Sequence, residues 1–230
     1  MKSLPNPVEG TLRKVSLKVP EAIAECTGIL IFGKRIRSLV FSTDVSIIRN
    51  VNADAVIAVY PFTPQPVITQ AILTAADIPV FVGVGGGLTQ GQRVVNLAMF
   101  AEMQGAIGVV VNAPTSNEVI ARVSEATDIP VIATVARTDT DIDARVAAGV
   151  SIFNVSAAAQ TADVVSAIRE KYPSIPIIAT GGPTEETILR TIEAGANAIT
   201  WTPPSNAEIF RGIMTAYRDG KSYQEAKKKP

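Results

Sequence analysis

Histidine is missing from all 230 residues, and cysteine occurs once, as Cys26. Together these absences exclude Ser-His-Asp and Cys-His triads, a histidine acid-base catalyst, the usual zinc constellations and any internal disulfide. Cys26 falls in a short helix-like stretch and reads as a buried structural thiol. Neither sign of charge is in excess, with 21 Lys and Arg against 21 Asp and Glu. No overall field would then gather nucleic acid or an anionic membrane, and the expected partner is a small, anionic molecule, with a homo-oligomer left open. No apolar run approaches the roughly 20 residues of a membrane span, and Met1-Lys2-Ser3-Leu4-Pro5 lacks a signal-peptide core, so a cytoplasmic location is expected. Aromatics make up only 5% of a chain that is 47% hydrophobic. The core is left to Val, Ile, Leu and Ala, as in parallel sheets covered on both faces.

What is present is an alternation. Ile78-Pro79, Ile129-Pro130 and Ile175-Pro176 each open an apolar strand, and Gly105-Ala106, Gly149-Val150 and Gly195-Ala196 open the strands between them. Asn52-Ala53-Asp54-Ala55 takes the same place earlier. Each step is about 20 to 25 residues, the length of one strand and one crossover helix. Eight strands follow, at 38–42, 55–60, 80–84, 107–112, 131–135, 152–156, 177–180 and 198–202. The helices between them are expected from 43, 66, 90, 115, 139, 161, 184 and 205, with Thr115 and Glu118 forming a capping box at the fourth. An open doubly wound sheet is the alternative. It normally has five or six parallel strands and a reversal of strand order, whereas this repeat runs uniformly to the end and predicts an α/β fold, a (β/α)8 TIM barrel. Residues 28–37 form a hairpin that closes the barrel bottom, residues 1–19 wrap the outside, 38–217 form the barrel and 218–230 a polar tail, all in one domain.

In such a barrel the functional groups lie where strands give way to helices. Those loops are small, polar and nearly uncharged. After the seventh strand, Thr180-Gly181-Gly182 can bring backbone amides close to an anion at a helix start, with Thr184 beside them and Thr202 and Ser205 after the eighth strand. Gly85-Gly86-Gly87 after the third strand is a second close-approach loop, or a hinge. Tyr60, Gln65 and Trp201 belong to one sector stiffened by Pro61, Pro64, Pro66, Pro203 and Pro204, where an aromatic rim could stack on a planar group or sugar face. Asn112 and Asn154 add hydrogen-bonding side chains. The acid-base candidates are Asp44, whose bland role is a helix cap, and Asp139, with Arg137 as an anion clamp or its partner in a solvated pair. No metal site is expected from so few carboxylates.

The segment Ile175-Pro176-Ile177-Ile178-Ala179-Thr180-Gly181-Gly182, followed by Ala194-Gly195-Ala196-Asn197-Ala198-Ile199, resembles the phosphate half-barrel of the ribulose-phosphate-binding barrel superfamily. The resemblance implies phosphate binding and an enzyme of isomerase or lyase type on a small phosphorylated or anionic metabolite. Two features depart from that pattern. Pro203-Pro204 stands where a glycine turn is usual and removes two amide donors, and Glu185 and Glu186 disfavour an anion at the seventh helix. No barrel strand carries a lysine, which argues against Schiff-base aldolases and thiazole synthase. Three further readings stay open. One is an FMN-binding barrel, with Gly83 to Gly87 and Gln65 near the ring. Another is a non-catalytic metabolite sensor, since the chain looks somewhat like glycerol-uptake antiterminators. The last is a hydrolase using a water activated by Asp44 or Asp139.

Overall fold

The computed structural model describes Asn6 and residues 17–221. The expected wrap of residues 1–19 and the polar tail fall largely outside the described residues. Glu21–Glu25 is a short 3-10 helix. An antiparallel hairpin follows, β1 (Ile29–Ile31) with β2 (Lys34–Ile36). Eight parallel strands then close into a barrel in the order β10-β3-β4-β5-β6-β7-β8-β9. They are β3 (Ser38–Phe41), β4 (Ala55–Ala58), β5 (Val80–Gly85), β6 (Gly108–Val111), β7 (Val131–Val135), β8 (Ile152–Val155), β9 (Ile177–Thr180) and β10 (Ala198–Trp201). Each is followed by a helix: α1 (Val45–Ile48), α2 (Pro66–Ala75), α3 (Gln92–Met103), α4 (Asn117–Ala126), α5 (Ile142–Ala147), α6 (Thr161–Lys171), α7 (Glu185–Glu193) and α8 (Asn206–Arg218). The chain folds as a (β/α)8 TIM barrel.

The alternating strand starts have a physical basis in this architecture. The glycines at 105, 149 and 195 are the left-handed residues that end α3, α5 and α7, with φ of 95°, 94° and 110°. At each end the glycine amide bonds back to the helix while the next amide reaches the carbonyl one residue further back, as in Ala106 N to Ala101 O at 3.0 Å. This is the Schellman motif, which glycine alone enters without strain. The prolines, by contrast, begin β5, β7 and β9, where a missing amide is tolerated and the carbonyl still serves. Pro79 O accepts from Val56, Pro130 O from Val109 and Pro176 O from Phe153.

Two apolar clusters divide the core. The larger fills the space between the barrel and its helices. The smaller fills the barrel itself and joins Leu39, Ala55, Ile57, Phe81, Val110, Ile132, Ile152, Ile178 and Ala198 to hairpin residues Ile29, Ile31 and Ile36. The hairpin thus plugs the bottom, as its sequence predicted. Because side chains alternate along a strand and layers in this fold draw on alternate strands, the strand registers order the interior upward. Ala55, Gly108, Ile152 and Ala198 lie lowest, Leu39, Phe81, Ile132 and Ile178 lie above them, and Ile57, Val110, Asn154 and Thr200 above those. Phe41, Gly83, Thr134 and Thr180 come next, under a rim that includes Val59, Asn112 and Thr202. The interior changes from wholly apolar to half polar as it rises.

Candidate functional site

The top of the barrel holds a cavity of ≈ 190 Å³ between the exits of β4, β5 and β6. Val59 to Pro64 form one wall, Gly87, Leu88 and Thr89 another, and Asn112 a third, with Gly83 and Gly85 below. Gly83 forms part of the cavity floor, where a Cβ would stand 3.1 Å from Val59 Cγ2. It occupies the layer of Phe41, Thr134 and Thr180 and supplies no side chain there.

Tyr60 is held by the loop it begins. Its hydroxyl oxygen accepts from the Gln65 amide at 2.9 Å, and Gln65 is also the residue that caps α2 ahead of Pro66. With one lone pair so engaged, the Tyr60 O–H proton is left to point elsewhere. Asn112 is fixed by its backbone, its amide donating to Gly85 O at 2.9 Å and its carbonyl accepting from Thr115 N at 3.0 Å. Gly86 closes the same knot, donating to Thr89 O at 2.9 Å. Gly85 and Gly86 are buried and only Gly87 is exposed, so this run is a packed junction at its first two residues. Thr89 is 4% exposed and its hydroxyl has no partner in the protein. No ionisable carboxylate, lysine or arginine lines this cavity; Phe62 and Leu88 stand exposed at its edge.

Asp44 and Asp139 lie elsewhere. Asp44 caps α1, its carboxylate accepting from the Ser46 and Ile47 amides and the Ser46 hydroxyl, while Asn206 donates to its other oxygen at 2.5 Å. The Ser46 hydroxyl bond, ahead of smaller contributions, holds the carboxyl below its usual range. Asp139 pairs with Arg137 at 2.5 Å, with their side chains 64% and 76% exposed. That is the solvated pair, and the Arg137 hydrogen bond lowers the Asp139 carboxyl. Helix α5 accordingly starts later than expected, capped by Asp141 instead of Asp139. Likewise α4 is capped by Ser116, not Thr115, because Thr115 turns inward and is 3% exposed.

The seventh and eighth exits are committed to capping and packing. Thr184 and Ser205 each close a capping box, with Thr187 and Glu208. A Cβ on Gly181 would stand 2.7 Å from both Ile188 and Ile199, so that glycine lets α7 approach the barrel wall. Gly182 is exposed beyond it, and Thr202 lies exposed on the rim. Trp201 is a correction to the stacking rim. Its register partner Val40 belongs to the outer cluster, and Trp201 packs against that cluster behind the barrel wall.

The structure therefore gathers Tyr60, Gly85, Gly87 and Asn112 at one cavity and turns Asn154 and Thr180 into the opposite half of the barrel. Sequence reasoning missed Thr89 and Thr200, took Gly83 only as part of a loop near an FMN ring and did not single out Thr134. Strand alternation alone would have found Thr134 and Thr200, which repeat the inward parity of Ile132 and Ala198.

No family model matches this sequence, and no curated protein matches it. Solved structures do. A putative phosphonomutase from Burkholderia cenocepacia J2315 superposes with a TM-score of 0.62 at 17% identity, covering 80% of this chain and 92% of its own. Phosphonopyruvate hydrolase in complex with oxalate and Mg++ gives 0.63 at 15%, covering 87% and 89%. The 2,3-dimethylmalate lyase, a PEP mutase/isocitrate lyase superfamily member, gives 0.61 at 13%, covering 96% and 91%. At such identities the likeness is one of fold.

Proposed function

We propose that this chain is an enzyme of isomerase or lyase type that acts on a small anionic metabolite in the barrel mouth. The observation that carries the reading is the cavity of ≈ 190 Å³ above Gly83, lined by both Tyr60 and Asn112. Sites for drug-sized ligands run from about 300 to 1,000 Å³. The similar barrels are named for compact anions, phosphonopyruvate and dimethylmalate. Neither Asp44 nor Asp139 lines the cavity, so proton transfer to a developing enolate or alkoxide falls to Tyr60, with Asn112 donating to the same oxygen.

Two cofactors fit poorly. A divalent ion of the kind seen in the phosphonopyruvate hydrolase complex needs convergent oxygen ligands, usually carboxylates. Among the described residues no three His, Cys, Asp or Glu side chains form such a group. FMN would need a wider cavity and a phosphate cradle clear of Glu185 and Glu186 in the first turn of α7.

Thermal shift with phosphonopyruvate, pyruvate, malate, oxaloacetate, sugar phosphates and inorganic phosphate tests the reading. A true ligand at 100 times its Kd stabilises by about 2.7 kcal/mol, or about 5–10 °C for a domain of this size. Tyr60→Phe should then bind it and lose turnover. A shift without turnover would indicate the sensor instead, and no shift with any compound refutes the proposal.

A further inference from the structure

Thr200 is buried to 8% exposure, and its hydroxyl has no hydrogen-bond partner among the described residues. It cannot be satisfied by turning outward. Thr200 shares its strand face with Ala198 and its register with Leu39, both interior residues, so the side chain points into the barrel. Asn154 stands in the same layer, with Thr134 and Thr180 directly above. Asn154 Nδ2 donates to Thr134 Oγ1 at 3.3 Å, the one bond recorded within this group. Across the barrel the same layers present Ile57, Val110 and Phe41, which offer nothing polar. A buried hydroxyl left unpaired is costly, and this one lies beneath the half-buried Thr134, Asn154 and Thr180 near the barrel mouth.

We infer that this half of the barrel is a subsite for a hydroxyl group of the ligand, which makes the ligand a small hydroxy acid. The inference rests on the proposed function and narrows its substrate class. Its basis is the donor set. Thr134, Thr180 and Thr200 each donate and accept, Asn154 does both through separate atoms, and none is charged. A carboxylate or phosphate buried there would meet no cation, and a hydrocarbon would leave Thr200 unpaired. A ligand hydroxyl, which itself donates and accepts, matches this donor set without adding charge.

The test uses matched pairs differing only in that group: glycolate and acetate, lactate and propionate, malate and succinate. Calorimetry on the wild-type chain should show at least one hydroxy acid binding about tenfold tighter than its deoxy partner, the scale of one hydrogen bond. Thr200→Val should abolish that preference while melting no lower than wild type, since it removes an unpaired group; Thr200→Ser should keep the preference. Binding of both members of every pair with equal strength overturns the hydroxyl subsite and leaves the anion site standing. Failure of all six acids overturns the hydroxyl subsite, and the anion reading falls with it only if the wider thermal-shift panel is also blank. A Thr200→Val protein that melts several degrees lower with its preference intact shows a structural hydroxyl and also overturns the inference.

Discussion

Replacing Gly86 by alanine is the sharpest test of how the cavity wall is built. Gly86 has φ of 108° and is buried between two loops. A Cβ there would stand 2.2 Å from Thr115 Oγ1 and 2.9 Å from both the backbone nitrogen and oxygen of Asn112. An L-residue held at such a φ costs about 1–2 kcal/mol, and overpacking a close-packed site adds about 1–3 kcal/mol. The second cost should fall in its upper half. Asn112 is pinned at both backbone groups, and Thr115 Oγ1 belongs to a residue 3% exposed. A total of about 3–5 kcal/mol lowers the melting temperature by about 6–20 °C, at about 2–4 °C for each kcal/mol in a domain of this size. Circular dichroism melts with urea titration measure both the loss and its cooperativity. Gly87→Ala is the control, because nothing lies within 4 Å of its Cβ position and its φ is ordinary; it should stay within about 0.5 kcal/mol of wild type. Adding Thr115→Ala to Gly86→Ala relieves the closest contact but not the Asn112 contacts or the φ, so recovery should be partial. Equal melting of the Gly86 and Gly87 variants would refute the packed junction and restore a flexible lid.

Cys26, 2% exposed, has its thiol pushed up to about 12 by burial, with Arg37 opposing and Asp54 assisting. The native state thus keeps a proton that the unfolded chain releases near 9. Stability is fully present below that pH and falls as pH rises from 9 toward 12, and Cys26→Ser should flatten the slope in urea titrations. Thiol reagents should label Cys26 at pH 8 only after denaturation. For Asp44 the sign is reversed. Its carboxyl is held low by Ser46 first, so its contribution is present above the usual carboxylate range and lost as pH falls. Asp44→Ala should cost about 1 kcal/mol as a lost N-cap, visible as a lower melting temperature at pH 7 that merges with wild type in acid. Asp139→Asn should change stability by less than about 0.5 kcal/mol, because its pair with Arg137 is solvated.

What the sequence displays and what it conceals follow from the range of the interactions involved. Gly105, Gly149 and Gly195 could be read because a Schellman end is a local event, settled within one helical turn and requiring one residue type. Pro79, Pro130 and Pro176 could be read for a similar reason, since each marks a strand start where no amide is needed. The site is different in kind. Tyr60 and Asn112 line one cavity because β4 and β6 flank β5 at Gly83, a neighbourhood visible only once the register is known. Asp44, Thr184 and Ser205 looked available because a rim residue and a capping residue occupy the same stretch of chain. The same position that brings a polar side chain to the mouth places helix amides within its reach, and the local bond is made. Trp201 fails by one step of alternation, an inward neighbour at Thr200 forcing it outward. That parity connects the error to its remedy. An aromatic at Trp201 could serve the mouth only if Thr200 faced the helices, and Thr200 is the residue whose unpaired hydroxyl marks the interior as a place where a ligand hydroxyl would be held.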